Sequence, residues 1–400
     1  MKHFHATFFT LALCASAAFA QTKPATPVTP DPTKAPSAPT SKTTDATGKA
    51  AKTDATKLGV GEKDTRRQVF ILELGGMVGV GLRHNEMEAI EKEADKFGPG
   101  QIIVIRINSP GGLVSEGDEI ADTLIRMRDK HRVVAWIEEA ISGGAFTAMH
   151  CREIYFLKTG TLGSITMLDS GSGKSAEGKV LEAWIERVGD VSEGAGRNRQ
   201  VGRCMVYSPL VVSYTKDAKS GKVAFFDNAN GEVMLSNDQE NLTFNENNAL
   251  DCGFSQGTAD NQEELFKIMQ LKPNSYVVNT TGKKVGDSWE KTVADSKKAA
   301  SRLLTEWEIK GASLGEAGQI AARLKLLDEM LRIWEKCEPV AMGYEGPNGR
   351  LIPPEALLEK YKDLIEAFWK AKVKAPIVKQ AFERLKKEMK QQLAEERKNK

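Results

Sequence analysis

The sequence predicts an α/β protein built on a mostly parallel sheet, followed by a helical C-terminal region, and three observations predict this. Apolar β-rich runs alternate with helical patterns from Gln68 to Leu157, the order expected of parallel strands joined by right-handed crossovers. The run Ile102-Ile103-Val104-Ile105-Arg106-Ile107 is nearly all β-branched, as suits a strand buried on both faces. Beyond about Lys272 the pattern changes to helices rich in Ala, Leu, Glu, Lys and Arg.

Taken in order, the chain opens with Lys2 and His3, an apolar run from Ala6 to Ala17, and Ala18-Phe19-Ala20 before Gln21. This is the order of a cleavable export signal over residues 1–20, cut after Ala20, and it predicts a periplasmic or secreted protein. The apolar run is shorter than the ~20 residues a membrane span needs. Cys14 would suit a lipoprotein box, but Leu13 before it is larger than such sites prefer. Residues 21–66 are Pro, Ala, Thr, Lys and Asp with few large apolar side chains. They cannot bury enough surface to offset their ordering entropy, and so read as a disordered linker.

A domain over 67–271 then starts at the strand Gln68 to Leu74, followed by a Gly-rich turn and a helix from about Asn85 to Phe97. The strand Ile102 to Ile107 stops at Asn108-Ser109-Pro110-Gly111-Gly112, before an amphipathic helix from about Glu116 to Lys130. Next come a strand at Val133 to Ile137, a small-residue turn and helix at Ser142 to Met149, and a strand at Ile154 to Leu157. The C-terminal region, 272–400, carries helical patterns over Ser288 to Ile309, Leu314 to Cys337 and Pro354 to the end, with a loop around Gly343 to Pro353. Phe382, Leu385, Met389 and Leu393 recur there at helical spacing, a stripe for core packing or self-association.

Composition excludes several classes. At 400 residues, 40% hydrophobic and 28% charged, this is neither a collagen, a multispan membrane protein nor a disulfide miniprotein. A net charge of +2 gives no electrostatic reason to expect nucleic acid, and 25 basic against 19 acidic residues from Thr281 onward make only a basic tail. Cys151, Cys204, Cys252 and Cys337 admit two disulfides in three pairings, or four buried thiols. With no CxxC and no HExxH, no metal is expected. Ser170-Gly171-Ser172-Gly173-Lys174-Ser175 looks like a phosphate loop, but Leu168 stands where that pattern requires glycine, so neither nucleotide nor another cofactor is expected. Asp169 to Gly178 reads as a lid or a loose loop.

Two features carry chemistry. Ser142 lies between a strand and a helix among small residues, where a hydroxyl can stand in a cleft beside the amide of Gly143. Gly111 and Gly112 end the preceding strand at the carboxyl edge, where α/β sheets bind ligands and glycine amides can face an oxyanion. Each alone is an ordinary turn. Together, Ile107-Asn108-Ser109-Pro110-Gly111-Gly112-Leu113, Ala140-Ile141-Ser142-Gly143-Gly144-Ala145 and Thr161-Leu162-Gly163-Ser164-Ile165 resemble the Clp protease/crotonase superfamily, with its ββα-repeat core. Within it the resemblance is nearest to the signal peptide peptidase A and NfeD-type membrane serine proteases. Leu242 to Phe254 and Glu263 to Leu265 resemble the closing strand and helix of that domain.

The resemblance implies a serine peptidase with Ser142 as nucleophile and the amides of Gly143 and the Gly111-Gly112 turn as oxyanion hole. The histidine that Clp proteolytic subunits place about 25 residues after the serine is replaced by Met167, and His84, His131 and His150 read as structural. The nearer branches use lysine at a helix start instead. Lys179, 37 residues after Ser142, opens the helical run Val180 to Ile185 and is the favoured base, with Lys174 as its rival and Gly196-Arg197-Asn198 as a second NfeD-like spacing. A lysine serves as base near neutrality only where burial lowers its pKa from ~10.4, so Glu177 and Glu182 must point away. Ser164 matches the hydroxyl that orients the lysine in signal peptide peptidases.

A peptide or unfolded-protein substrate is expected to lie extended along a Gly111-Gly112-Leu113-Val114 strand as an added β-strand, with Leu113 and Val114 as binding residues. The implied protein is an exported Ser/Lys endopeptidase acting on unfolded or membrane-released peptides, a homo-oligomer with transient proximity to a membrane. The competing readings are a non-catalytic oligomeric scaffold that binds peptides, and a hydratase acting on acyl-CoA, a substrate that an exported protein would rarely meet.

Overall fold

The computed structural model describes residues 66–168, 174–310, 315–341 and 375–398. The export signal, Cys14, the linker, residues 169–173 of the lid, the loop at Gly343 to Pro353 and the helix start at Pro354 lie outside them.

The expected alternation is present as β1 (Arg67–Gly75), α1 (His84–Asp95), β2 (Ile102–Ser109), α2 (Val114–Lys130), β3 (Arg132–Ile141), α3 (Gly143–Met149) and β4 (Glu153–Gly163). Then come α4 (Gly178–Gly194), α5 (Arg199–Cys204), β5 (Ser213–Lys216), β6 (Val223–Phe226), β7 (Val233–Met234) and β8 (Thr243–Asn245). They are followed by α6 (Glu246–Asp251), β9 (Gly257–Thr258), α7 (Gln262–Ile268), β10 (Tyr276–Asn279) and α8 (Thr281–Lys310). The main sheet runs β10-β1-β2-β3-β4-β8, with β9 also on β4. Every pair is parallel except β4 with β8.

Strand periodicity sends alternate residues to opposite faces. Phe70, Leu72, Ile103, Ile105, Ala135 and Ile137 pack with Met87 of α1, Leu124 of α2 and Phe146 of α3. Val69, Ile102, Val104, Val134 and Trp136 pack with Leu265 and Phe266 of α7. The central strands are thus buried on both faces, which is why they read as unbroken apolar runs.

The structure departs from the sequence reading in three respects, and it decides between the two readings left open for the cysteines. The sheet does not close at Leu271, because β10 pairs with β1 beyond it. Helix α8 then starts at Thr281, not Ser288, and its first turns lie directly on β1: a methyl group on Gly282 would come 2.4 Å from the Ile71 carbonyl oxygen. A small antiparallel sheet, β6-β5-β7, follows α5; its strands of two to four residues are too short to show periodicity. The four cysteines are buried free thiols and form no disulfide. Burial pushes the Cys151 thiol up to about 12, and those of Cys204 and Cys252 to about 11.

A second core joins α8 to α9 (Glu316–Lys336), α10 (Glu338–Ala341) and α11 (Ala375–Lys398). Leu303, Leu327, Met330, Trp334, Phe382, Leu385 and Met389 fill it, so the C-terminal stripe is core packing. No helix among the described residues is long and apolar enough to cross a membrane.

Helix α3 is held at its far end by two half-buried arginines and a buried histidine. The Arg197 guanidinium donates to the carbonyls of Cys151 and Arg152 at 2.9 and 3.2 Å, and Arg128 donates to that of His150 at 2.9 Å. The His150 imidazole lies 2.7 Å from the Phe146 carbonyl through Nδ1, and burial drives its pKa down from 6.5 to about 4.

Two predictions follow from this packing. Gly282→Ala should destabilise the protein by about 1–3 kcal/mol, because the new methyl meets backbone and not a mobile side chain; urea titration checks this. Because His150 stays neutral in the fold, its contribution is complete above pH 6.5 and is lost as pH falls toward 4, where the unfolded chain binds a proton that the fold refuses. That loss amounts to about 3 kcal/mol. His150→Gln should narrow the gap between unfolding free energies measured at pH 7 and 4.5.

Candidate active site

Strands β1, β2 and β3 all end at the carboxyl edge of the sheet, and their last residues meet there. On β3, Ile141 pairs with Gly163 of β4, and the next amide, of Ser142, donates to the Gly163 carbonyl at 3.0 Å. With its N–H fixed, Ser142 turns into α3 through φ +54°, ψ −118°. A residue with a Cβ holds such a backbone only at a cost of about 1–3 kcal/mol and only where its surroundings impose it. Here the Gly163 bond fixes one side, and the Phe146 amide donating to the Ser142 carbonyl at 2.9 Å fixes the other. Ser142 is half-buried, and its Oγ bonds to none of the described residues.

The turn after β2 lies against this elbow. A methyl group on Gly111 would sit 2.6 Å from Ser142 Cβ and 3.0 Å from both Ser142 Oγ and the Gly143 nitrogen. One on Gly143 would sit 3.3 Å from the Gly112 nitrogen, and one on Gly112 only 2.3 Å from the Val78 carbonyl oxygen. No other residue allows three backbones this close. Val78, from the turn after β1, donates to the Gly111 carbonyl at 2.8 Å and accepts from the Leu113 amide at 3.1 Å. This pairing leaves the Gly112 amide outside the ladder, and neither it nor the Gly143 amide donates to any described residue. Two amides and a hydroxyl without partners among the described residues thus lie close together, and groups so placed can stabilise a tetrahedral oxyanion.

Irregular pairing brings these ends together. The β2–β3 register shifts between Ile107 and Asn108, and the β3–β4 register between Ile137 and Glu139. Glu138, at the second shift, accepts from Arg106 at 2.7 Å and from Asn108 at 3.0 Å. Such shifts bend the strand ends and re-aim their side chains.

The other expected residues fall as follows. Ser164 continues β4 one step past Gly163, also at positive φ (+52°), so Ser142 and Ser164 leave paired strands at neighbouring positions. Leu113 and Val114 do not form a strand: Leu113 is the N-cap of α2 and Val114 its first residue, because Val78 already occupies the adjoining edge. Lys179 stands exposed in the first turn of α4, with Glu177 and Glu182 exposed around it. Helix α4 nevertheless docks on α3, with the Trp184 ring 5.1 Å from that of Phe146 and its indole N–H donating to the Ile165 carbonyl at 3.0 Å. Lys174 is exposed too, just before Ser175, which bridges Leu168 antiparallel, and Ala176, which donates to the Met167 carbonyl at 2.8 Å.

The histidines are engaged elsewhere: His84 with Glu116 at 2.8 Å, His131 with Asp95 at 3.0 Å, and His150 under α3. Arg197, in the alternative NfeD-like spacing, is half-buried and holds the carbonyls that follow α3. No group of His, Cys, Asp and Glu suited to a metal occurs among the described residues. Sequence reasoning missed Val78 and Gly163, whose contributions are backbone groups; the Gly-rich turn after β1 was the only signal for the first.

Residues 68–280, more than half of the chain, match the family described as NfeD1b, N-terminal domain. The membrane protein NfeD1b of Bacillus subtilis is 25% identical over 206 residues, 51% of this chain and 42% of that protein. A candidate protease of Synechocystis sp., slr0021, is 33% identical over 127 residues, 31% of this chain and 42% of that protein. The chain thus spans about two fifths of the length of the curated relatives it matches. Among solved structures, the 1510-N membrane protease specific for a stomatin homolog, from Pyrococcus horikoshii, is 14% identical with a TM-score of 0.33, over 50% of this chain and 78% of that one. By the match that covers its α/β domain, this chain belongs to the NfeD1b N-terminal domain family.

Proposed function

We propose that the protein is a serine endopeptidase with Ser142 as nucleophile. The observation that carries this is the strained, unpaired serine at the head of α3, beside two unengaged amides. In the reaction Ser142 Oγ attacks a peptide carbonyl and passes its proton to the base. The carbonyl oxygen, now negative, accepts hydrogen bonds from the Gly112 and Gly143 amides. Collapse expels the amine, which takes the proton back, and leaves an ester on Ser142; water, deprotonated by the same base, then hydrolyses that ester.

The base we propose is Lys179, with Ser164 orienting it. Its place in a helix docked on α3 supports this. Because Lys179 is exposed, its desolvation must come from outside this chain, from bound peptide or a neighbouring copy. A homo-oligomer, unfolded or membrane-released peptides as substrates, and export after cleavage at Ala20 belong to the same proposal. Substrate backbone would pair beside Gly112, on the side that Val78 leaves open.

The exposure of Lys179 is also what favours the second reading, an oligomeric scaffold that binds peptides without cleaving them. A test separates the two. Mature protein should cleave an unstructured peptide pool with activity rising from pH 6 to 10, and Ser142→Ala and Lys179→Ala should each lower it by at least 10³-fold. If wild type and both variants are folded and equally inactive, the scaffold is the better account.

A further inference from the structure

We propose that Trp289 of α8 is a positioning residue for the oxyanion-binding turn, acting through Val80 and Val78; this rests on the peptidase reading for its catalytic consequence only. The turn Met77 to Leu82 belongs to two cores at once. Val78 is buried in the sheet core beneath the elbow, and Val80 in the helical core beside Val293 and Leu327. Two residues apart, they tie the C-terminal helices to the site.

The tie is polar as well as apolar. The Trp289 indole N–H donates to the Val80 carbonyl at 2.8 Å. The Arg83 guanidinium lies 3.4 Å over the Trp289 ring and is itself held by Glu86 at 2.6 and 3.1 Å, which fixes the indole. Within the turn, the Val80, Gly81 and Leu82 amides all converge on the Met77 carbonyl at 2.9 to 3.3 Å. A methyl group on Gly81 would lie 1.8 Å from the Gly75 carbonyl oxygen, so the turn cannot slide along β1 without breaking. Movement of the Val80 carbonyl is therefore passed to Val78, whose N–H and C=O fix Gly111 and Leu113 and so set where the Gly112 amide points. Trp289 also walls a groove of about 700 Å³ with Met77, Gly81 and Pro110.

Trp289→Phe removes the indole donor and keeps an aromatic ring under Arg83. Hydrogen exchange read by mass spectrometry on full-length protein should show the Val78 and Leu113 amides exchanging at least tenfold faster in Trp289→Phe, with the central strands β2 and β3 unchanged. In peptide cleavage, kcat should fall about tenfold with KM within twofold, since the Gly112 amide serves the transition state. Unchanged exchange at Val78 and Leu113 in both Trp289→Phe and Trp289→Ala would overturn the proposal. An inactive wild type would defeat the peptidase reading alone, because the exchange measurement decides the positioning role without turnover.

Discussion

The site depends on one steric constraint, the close approach of three backbones at the carboxyl edge of the sheet. Val78 after β1, Gly111 and Gly112 after β2, and Ser142 and Gly143 after β3 lie so near one another that a Cβ on any of the three glycines would meet a neighbour at 3.2 Å or less. Once this contact is made, little freedom remains. The Val78 pairing determines the peptide planes of the β2 turn, and the Gly163 carbonyl determines the direction in which β3 enters α3. The strain at Ser142 is then a consequence of geometry elsewhere, carried by cores large enough to hold it.

Around this contact the molecule places rigid supports. Helix α3 carries Ser142, the proposed nucleophile, at one end and is gripped at the other by Arg197 and Arg128, whose guanidiniums satisfy carbonyls that a seven-residue helix leaves open. Burying such groups costs desolvation, and the low pKa of His150 is the visible sign of how dry that end is. On the opposite side, α8 lies against β1 through Gly282 and Gly286, both too close to strand carbonyls to carry a side chain. The helical region is thus a structural continuation of the sheet and not an appendage to it.

The proposed proton acceptor is the least constrained part of the candidate site. Ser142, Gly112 and Gly143 are positioned by backbone hydrogen bonds and contacts, whereas Lys179 stands in solvent on the first turn of α4. A catalytic lysine needs a dry surrounding. Among the described residues the buried surfaces adjoin the elbow without covering the lysine, so the proposed proton transfer would need occupancy of the cleft, by peptide or by a second copy. Leu168 and Val180, both more than half exposed, flank the same region and offer apolar surface for that cover.

The sequence by itself determined the order of strands and helices, the parallel sheet and the tight turn at Ser142. These rest on local signals: β-branched runs report burial on both faces, and Ser142-Gly143-Gly144 and Gly111-Gly112 report where backbone must pass closely. It could also set aside the histidines, whose partners Glu116, Asp95 and the Phe146 carbonyl leave them no part in the site. Only the tertiary structure decided that Leu113 and Val114 belong to a helix start, that β10 extends the sheet past Leu271, that the cysteines stay reduced, and that Val78 and Trp289 brace the turn. The reason is the range of the interactions. An edge occupied by Val78, a parallel pairing between Arg67 and Tyr276 and an indole reaching a carbonyl 209 residues away join segments far apart in the chain, and no local pattern records which of them will meet.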